Sequence, residues 1–236
     1  MLFRSENNAL DGISLNNASH VLIGGPNPGE GNVIANNAGV GIGIQGTDIT
    51  IQGNHIENNS VRGVAVYDSK DVVIAANLIS GNGLGDDLYV GGGIELGNVD
   101  NVDIVNNLIG TESNGNAPNS NGNSGLYGNV VSNLRIRDNV ITSSVTGVTI
   151  ETYSFDGTKS HDVTLTGNKI GVSADGKVIL GNRDSGILVL AVEDVTIGGL
   201  GAGEGNVISG NSGRGDRKST RLNSSHIPLS RMPSSA

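Results

Sequence analysis

The chain has 236 residues, 38 of them glycine, with no cysteine or tryptophan, 3% aromatic residues and a formal net charge of −9. This excludes a core of large aromatic side chains, disulfides, thiolate metal sites and thiol redox chemistry, and leaves Val, Ile and Leu to be buried by a repetitive architecture. The negative charge, with Arg214, Arg217, Lys218, Arg221 and Arg231 gathered near the C-terminal end, argues against nucleic acid as a partner, and no apolar run of about 18 residues exists for membrane insertion.

Residues 1–11 are polar, carry no basic stretch followed by an apolar one of the secretory kind, and read as a partial or preceding coil of a longer chain. From residue 12 to 215 three kinds of short run recur. One opens with Gly and alternates apolar with small or polar residues: 12–15, 63–66, 93–96, 147–150 and 186–189. That period of two belongs to half-buried strands. A second opens with Asp or Asn, at 48–51, 71–74, 101–104, 133–136, 162–165 and 194–197. The third is an Asn-x-Ile step starting at Asn32, Asn54, Asn77, Asn107, Asn139, Asn168 and Asn206, with spacings of 22, 23, 30, 32, 29 and 38 residues. A unit of constant frame with insertions of variable length is a solenoid. Two gapless overlays support it: residues 21–37 on 195–211, and 107–126 on 168–187, with Asn, Gly and Ile held in register.

The predicted fold is all-β: a right-handed parallel β-helix of about seven coils, three short strands and three corners per coil, with Ile, Val and Leu stacked inward at about 4.8 Å per coil. The Ile-Gly-Gly steps at 23–25 and 197–199 and the Gly-Asn-Val-Ile-Ser-Gly-Asn run at 205–211 make the specific match. Over residues 10–215 the chain resembles the bacterial parallel β-helix repeat family, which shares pectate-lyase-like architecture. The resemblance implies an extracellular or cell-surface setting and a polysaccharide or cell-surface glycan as partner; it implies no reaction and no oligomeric state.

The Asn column and the Asp/Asn column read as structural, with short amides tolerating left-handed corners and bonding backbone and the next coil. Enzymes of the resembled family gather carboxylates with Arg, Lys or His on one face of adjacent coils. The outward carboxylates Glu95 and Glu151 are expected two coils apart, on the order of 10 Å, outside the spacing of a retaining pair. Asp103 and Arg135 are expected to pair across neighbouring coils, with Arg137 beyond; Arg135 is the candidate base if a carboxylate and a metal stand beside it. His20, His55 and His161 fall on different columns without evident partners. Residues 82–89, with Asp86 and Asp87, loosely fit one calcium-binding nonapeptide unit, making calcium the one cofactor to consider. The insertions 111–124 and 172–185 are expected to project from one corner and wall a shallow groove.

At residue 216 the repeat stops in mid-coil. Residues 216–226 and 230–236 resemble the conceptual translation of a sequencing adaptor, and 216–236 is expected to be a non-native, disordered tail. The functional expectation is a fragment of a secreted or cell-surface β-helix protein serving as a stalk or glycan-contacting surface. The alternative is a polysaccharide lyase, hydrolase or epimerase with catalytic coils partly outside it.

Overall fold

The computed structural model describes residues 3–84 and 92–219. In chain order its strands are β1 (Arg4–Glu6), β2 (Ile13–Gly24), β3 (Val33–Ala35), β4 (Ile42–Gln52), β5 (His55–Glu57), β6 (Arg62–Ala75), β7 (Leu78–Ser80), β8 (Gly92–Val105) and β9 (Leu108–Ile109). They continue as β10 (Ser124–Arg137), β11 (Val140–Ile141), β12 (Thr146–Glu151), β13 (His161–Thr166), β14 (Lys169–Ile170), β15 (Ile187–Leu190), β16 (Val195–Ile197), β17 (Val207–Ile208) and β18 (Asp216–Ser219). The Asn-x-Ile steps build an eight-stranded sheet in the order β1-β3-β5-β7-β9-β11-β14-β17, and the other runs a ten-stranded one; all the pairings within these sheets are parallel. The chain is therefore a parallel β-helix, as expected. Its eight-stranded sheet adds the N-terminal rung β1 to the seven Asn-x-Ile steps.

The expected second and third strands are not separate in most coils. In β2, β4, β6, β8 and β10 they are one strand of 11 to 14 residues running through the corner. The means is local. In β8, Ile94 and Leu96 face inward, then Val99, then Val102 and Ile104, so the alternation slips by one residue twice. The slips fall at Asn98 (φ 53) and Asn101 (φ 54), left-handed residues that Asn tolerates and that turn the strand while keeping apolar side chains inside. The Asp/Asn column is thus the left-handed one: Asp48, Asp71, Asn133, Asp162 and Asp194 share that conformation.

The ladder asparagines differ from expectation, since the left-handed residue is the one before them: Gly53, Ala76, Asn106, Asp138 and Gly167. That twist drives each Asn side chain inward. Asn77 donates its backbone N–H and its amide to Asn107 Oδ1 (2.9 and 3.0 Å), and Asn107 repeats this on Asn139 (2.9 and 3.0 Å). Each amide also donates to a carbonyl of the preceding coil, Asn107 to Ile74 at 2.8 Å. No buried side-chain polar atom among the described residues lacks a partner, so the burial of amides costs little. A second ladder runs Asn8-Asn37-Asn59-Asn82-Asn121, with Ser144 taking the next place before Asn182 and Asn211.

Between the ladders stack the apolar columns. Ile34, Ile56, Ile79, Ile109, Ile141 and Ile170 pair in register and are fully buried. Each such side chain contributes roughly 1.5–3 kcal/mol by leaving water. The insertions at 111–118 and 172–179 each close by an antiparallel bridge, and Ala174 N–H donates to Gly115 O at 2.9 Å. They project from one corner as expected and pack on each other as a ledge. At the C-terminal side β18 pairs in parallel with β15, so residues 216–219 of the expected tail continue the sheet, and the rest of that segment lies outside the described residues. No described helix is long and apolar enough to cross a membrane.

Candidate functional site

On the outer face of the long sheet, large polar side chains meet on β6, β8, β10 and β12. Register places Ala65, Glu95, Tyr127, Thr149 and Leu188 in one outward column, and Tyr67, Gly97, Asn129, Glu151 and Leu190 in the next. Long side chains cross between columns. The Tyr67 hydroxyl donates to Glu95 Oε1 at 2.5 Å, and the Tyr127 hydroxyl to Glu151 Oε1 at 2.7 Å. Arg62 Nε forms a short ion pair with the other oxygen of Glu95. Gly97 makes this possible, because a Cβ there would lie 2.7 Å from Tyr67 Cδ1; the bare backbone lets the ring lie across the next coil.

The result is a cleft of about 310 Å³ lined by Arg62, Gly92, Ile94, Glu95, Asn123, Ser124, Tyr127 and Glu151. Burial, then hydrogen bonding to Glu95, pushes the Tyr67 phenol well above its ordinary value of 10.0; burial and Glu151 do the same to Tyr127. Both phenols are therefore donors at neutral pH and not bases. Glu95 and Glu151, expected to be two coils apart, are so, yet the structure brings both to one cleft with Tyr127 between them. Sequence reasoning assigned no role to Arg62, Tyr67 or Tyr127. The available signal was rarity: the chain has only 4 Tyr, two of them in these neighbouring columns.

Asp103 and Arg135 sit elsewhere on the same sheet, paired as expected. Arg135 donates from Nε at 2.8 Å and Nη2 at 3.1 Å, with a further bond from Nη2 to Asn101 at 2.6 Å, and Arg137 stands 3.7 Å from the same carboxylate. The bond from Arg135 leads in holding the Asp103 carboxyl below its ordinary range. Arg135 is thus satisfied by Asp103 and Asn101, whose amide in turn donates to Asp71 at 2.6 Å, and among the described residues no second carboxylate bonds Arg135. His20 and His161 do have partners, Asp48 at 2.6 Å and Asp162 at 2.8 Å. The calcium candidates Asp86 and Asp87 lie outside the described residues. Among the described residues no three His, Asp or Glu gather as a metal site.

A second groove, of about 300 Å³, crosses the corner beside Lys70, Asp100, Ser132, Lys159 and His161. Its charged groups have partners: Asp100 accepts from Ser132 (2.8 Å) and Asn133 (2.7 Å), and Lys159 pairs with Glu193.

Stacked parallel coils, two asparagine ladders and a polar cleft on the outer face define a β-helical solenoid. The family model described as right-handed β-helix region matches residues 4–170, and the chain belongs to that family. Among solved structures the chain is similar to the A-module of the Azotobacter vinelandii mannuronan C-5 epimerase AlgE4, at 14% identity and TM-score 0.45 over 97% of this chain and 56% of that one. It is also similar to an alginate lyase from Paenibacillus sp. str. FPU-7, at 15% identity and TM-score 0.36, covering 83% and 89%. The chain spans little more than half of the epimerase module. No curated protein sequence matches it.

Proposed function

We propose that this chain is a rigid β-helical segment of a secreted or cell-surface protein that contacts a glycan through the Arg62–Glu95–Tyr127–Glu151 cleft without transforming it. The observation that supports this reading is the gathering of phenols, carboxylates and a guanidinium around one cleft on one sheet face. Such groups match sugar hydroxyls, which both donate and accept. Three features weigh against turnover. Glu95 is committed to Arg62 and Tyr67, the phenols resist ionisation, and the two carboxylates stand two coils apart.

The test is binding of the full chain to a panel of polysaccharides by affinity electrophoresis, beside a Tyr127→Phe/Glu151→Gln variant. Retardation that the variant loses, with the polymer recovered unchanged in length and linkage, is the expected result. Steady release of shortened, unsaturated or epimerised chains would instead establish the lyase, hydrolase or epimerase reading. Absence of retardation by every polymer would overturn glycan contact.

A further inference from the structure

The loop between β12 and β13 is longer than the corresponding corner between β15 and β16. Where β8 and β10 run through without a break, residues 152–160 leave the sheet directly after Glu151. The loop is nonetheless well ordered by specific bonds. Asn129 clamps Tyr153 on both sides, accepting from its N–H at 2.7 Å and donating to its carbonyl at 3.1 Å. Ser160 ties the far end to Glu151 O at 2.7 Å and to Thr152 at 2.8 Å. Asp156 accepts from Ser154 and from Thr158 N–H (2.9 Å), which holds its carboxyl down to about 2, so it stays ionised.

This loop displays two aromatic rings beside its charged residues. Tyr153 and Phe155 are 67% and 95% exposed and meet edge to face, with centroids 5.3 Å apart and planes at 72°. They are two of only 6 Phe and Tyr residues in the chain. Tyr153 lies two residues beyond Glu151, and its clamp Asn129 is paired in register with Glu151, so the loop leaves the sheet beside the end of the cleft that Glu151 lines, while its Thr158 and Lys159 line the second groove. Large rings held in water by a dedicated loop mark a contact surface.

Charge decides what that surface accepts. The cleft carries the carboxylates Glu95 and Glu151 and the loop beside it Asp156, against Arg62, which is already paired with Glu95; Lys159 of the same loop is paired with Glu193. Among the described residues only the Tyr127 hydroxyl bonds the Glu151 side chain. A uronate or sulfate meets net repulsion here, whereas an ammonium meets a carboxylate beside aromatic faces.

Resting on the glycan-contact reading above, we infer that the occupant is a glycan bearing free, protonated amino groups, its sugar rings stacked on Tyr153 and Phe155 and an ammonium paired with Glu151.

The test is isothermal titration of the full chain with hexamers of glucosamine, N-acetylglucosamine and a uronic acid at low salt. The amino hexamer is expected to bind about tenfold tighter than the acetylated one, the worth of a charge-assisted contact, and the uronate not measurably. Glu151→Gln should bring the amino hexamer to the level of the acetylated one, and 0.5 M salt should do much the same. Tyr153→Ala/Phe155→Ala, at exposed positions that leave the melting curve unchanged, should weaken both hexamers about tenfold. Uronate binding as tight as the amino hexamer, or aromatic variants without effect, overturns the inference. If glycans bind through Tyr127 in that case, the contact reading survives; if none binds, both fall.

Discussion

Replacing Asn107 by Ala probes whether the buried amide ladder or the apolar columns hold the coils in register. Asn107 is fully buried. Its Oδ1 is the acceptor for Asn77 N–H at 2.9 Å and for the Asn77 amide at 3.0 Å. Its own amide donates to Ile74 O, Val105 O and Asn139 Oδ1. Some of these partners have a second bond: Asn77 Nδ2 keeps Ile51 O, Val105 O keeps Ala76 N–H, and Asn139 Oδ1 keeps the backbone N–H of residue 107. Asn77 N–H loses its acceptor. One orphaned buried donor at about 1–3 kcal/mol and a few net hydrogen bonds at about 1 kcal/mol each give a cost of about 4 kcal/mol.

That loss is a large share of the stability of an ordinary domain, about 5–15 kcal/mol. The exposed loop residue Asn114, whose side chain among the described residues accepts from Asn116 N–H alone, is the control, with an expected cost under about 0.5 kcal/mol for Asn114→Ala. Urea unfolding of the two variants measures the difference, and because solenoids unfold in segments, hydrogen exchange at the Asn77 amide gives the local reading. Asn107→Ala losing less than about 1 kcal/mol, with the Asn77 amide still protected, would refute the ladder argument.

Two further outcomes follow from the outer face. Gly97→Ala places a methyl 2.7 Å from Tyr67 Cδ1 and should push the ring off its coil; with burial and the Glu95 bond gone, the Tyr67 phenol falls back toward 10.0. An ultraviolet titration, compared with the same variant in a Tyr67→Phe background, reads the change, and an unaltered titration contradicts the packing described. At the Asp103–Arg135 pair the folded carboxyl lies below its ordinary 3.8. Its stabilisation is therefore present above pH about 3.8 and lost as pH falls through the lower folded value. A double-mutant cycle with Asp103→Asn and Arg135→Ala should give under about 1 kcal/mol at pH 7, since both groups are partly exposed, and a coupling that survives full protonation would contradict this account.

The fold was readable because its signals are local. A run such as 101–104 names its own strand by alternation, and the repeated Asn-x-Ile step names its own corner. The three-strands-per-coil reading was too divided for a related reason: Asn98 and Asn101 look like strand terminators, yet left-handed residues spaced three apart turn a strand without ending its hydrogen bonding. The second ladder has a partial trace, since Asn37, Asn59, Asn82 and Asn211 each follow an Asn-x-Ile asparagine by five residues, but Ser144 takes that place in one coil and the insertions displace Asn121 and Asn182.

The candidate site was legible only in fragments. Glu95 and Glu151 were visible as outward carboxylates, and Asp103 with Arg135 as a cross-coil pair, since both inferences need only the coil register. The amino-acid sequence by itself determined the solenoid, its inward columns and its corner residues, because period-two alternation and the conformational tolerance of Asn, Asp and Gly act within one coil. Only the tertiary structure decided which outward groups meet. Tyr127 reaches diagonally to Glu151 in the neighbouring column, Tyr67 lies over Gly97 to reach Glu95, and residues 152–160 expose two rings directly after Glu151. Those meetings depend on side-chain length across strands about 4.8 Å apart and on insertion lengths that differ from coil to coil, and neither has a periodic trace along the chain.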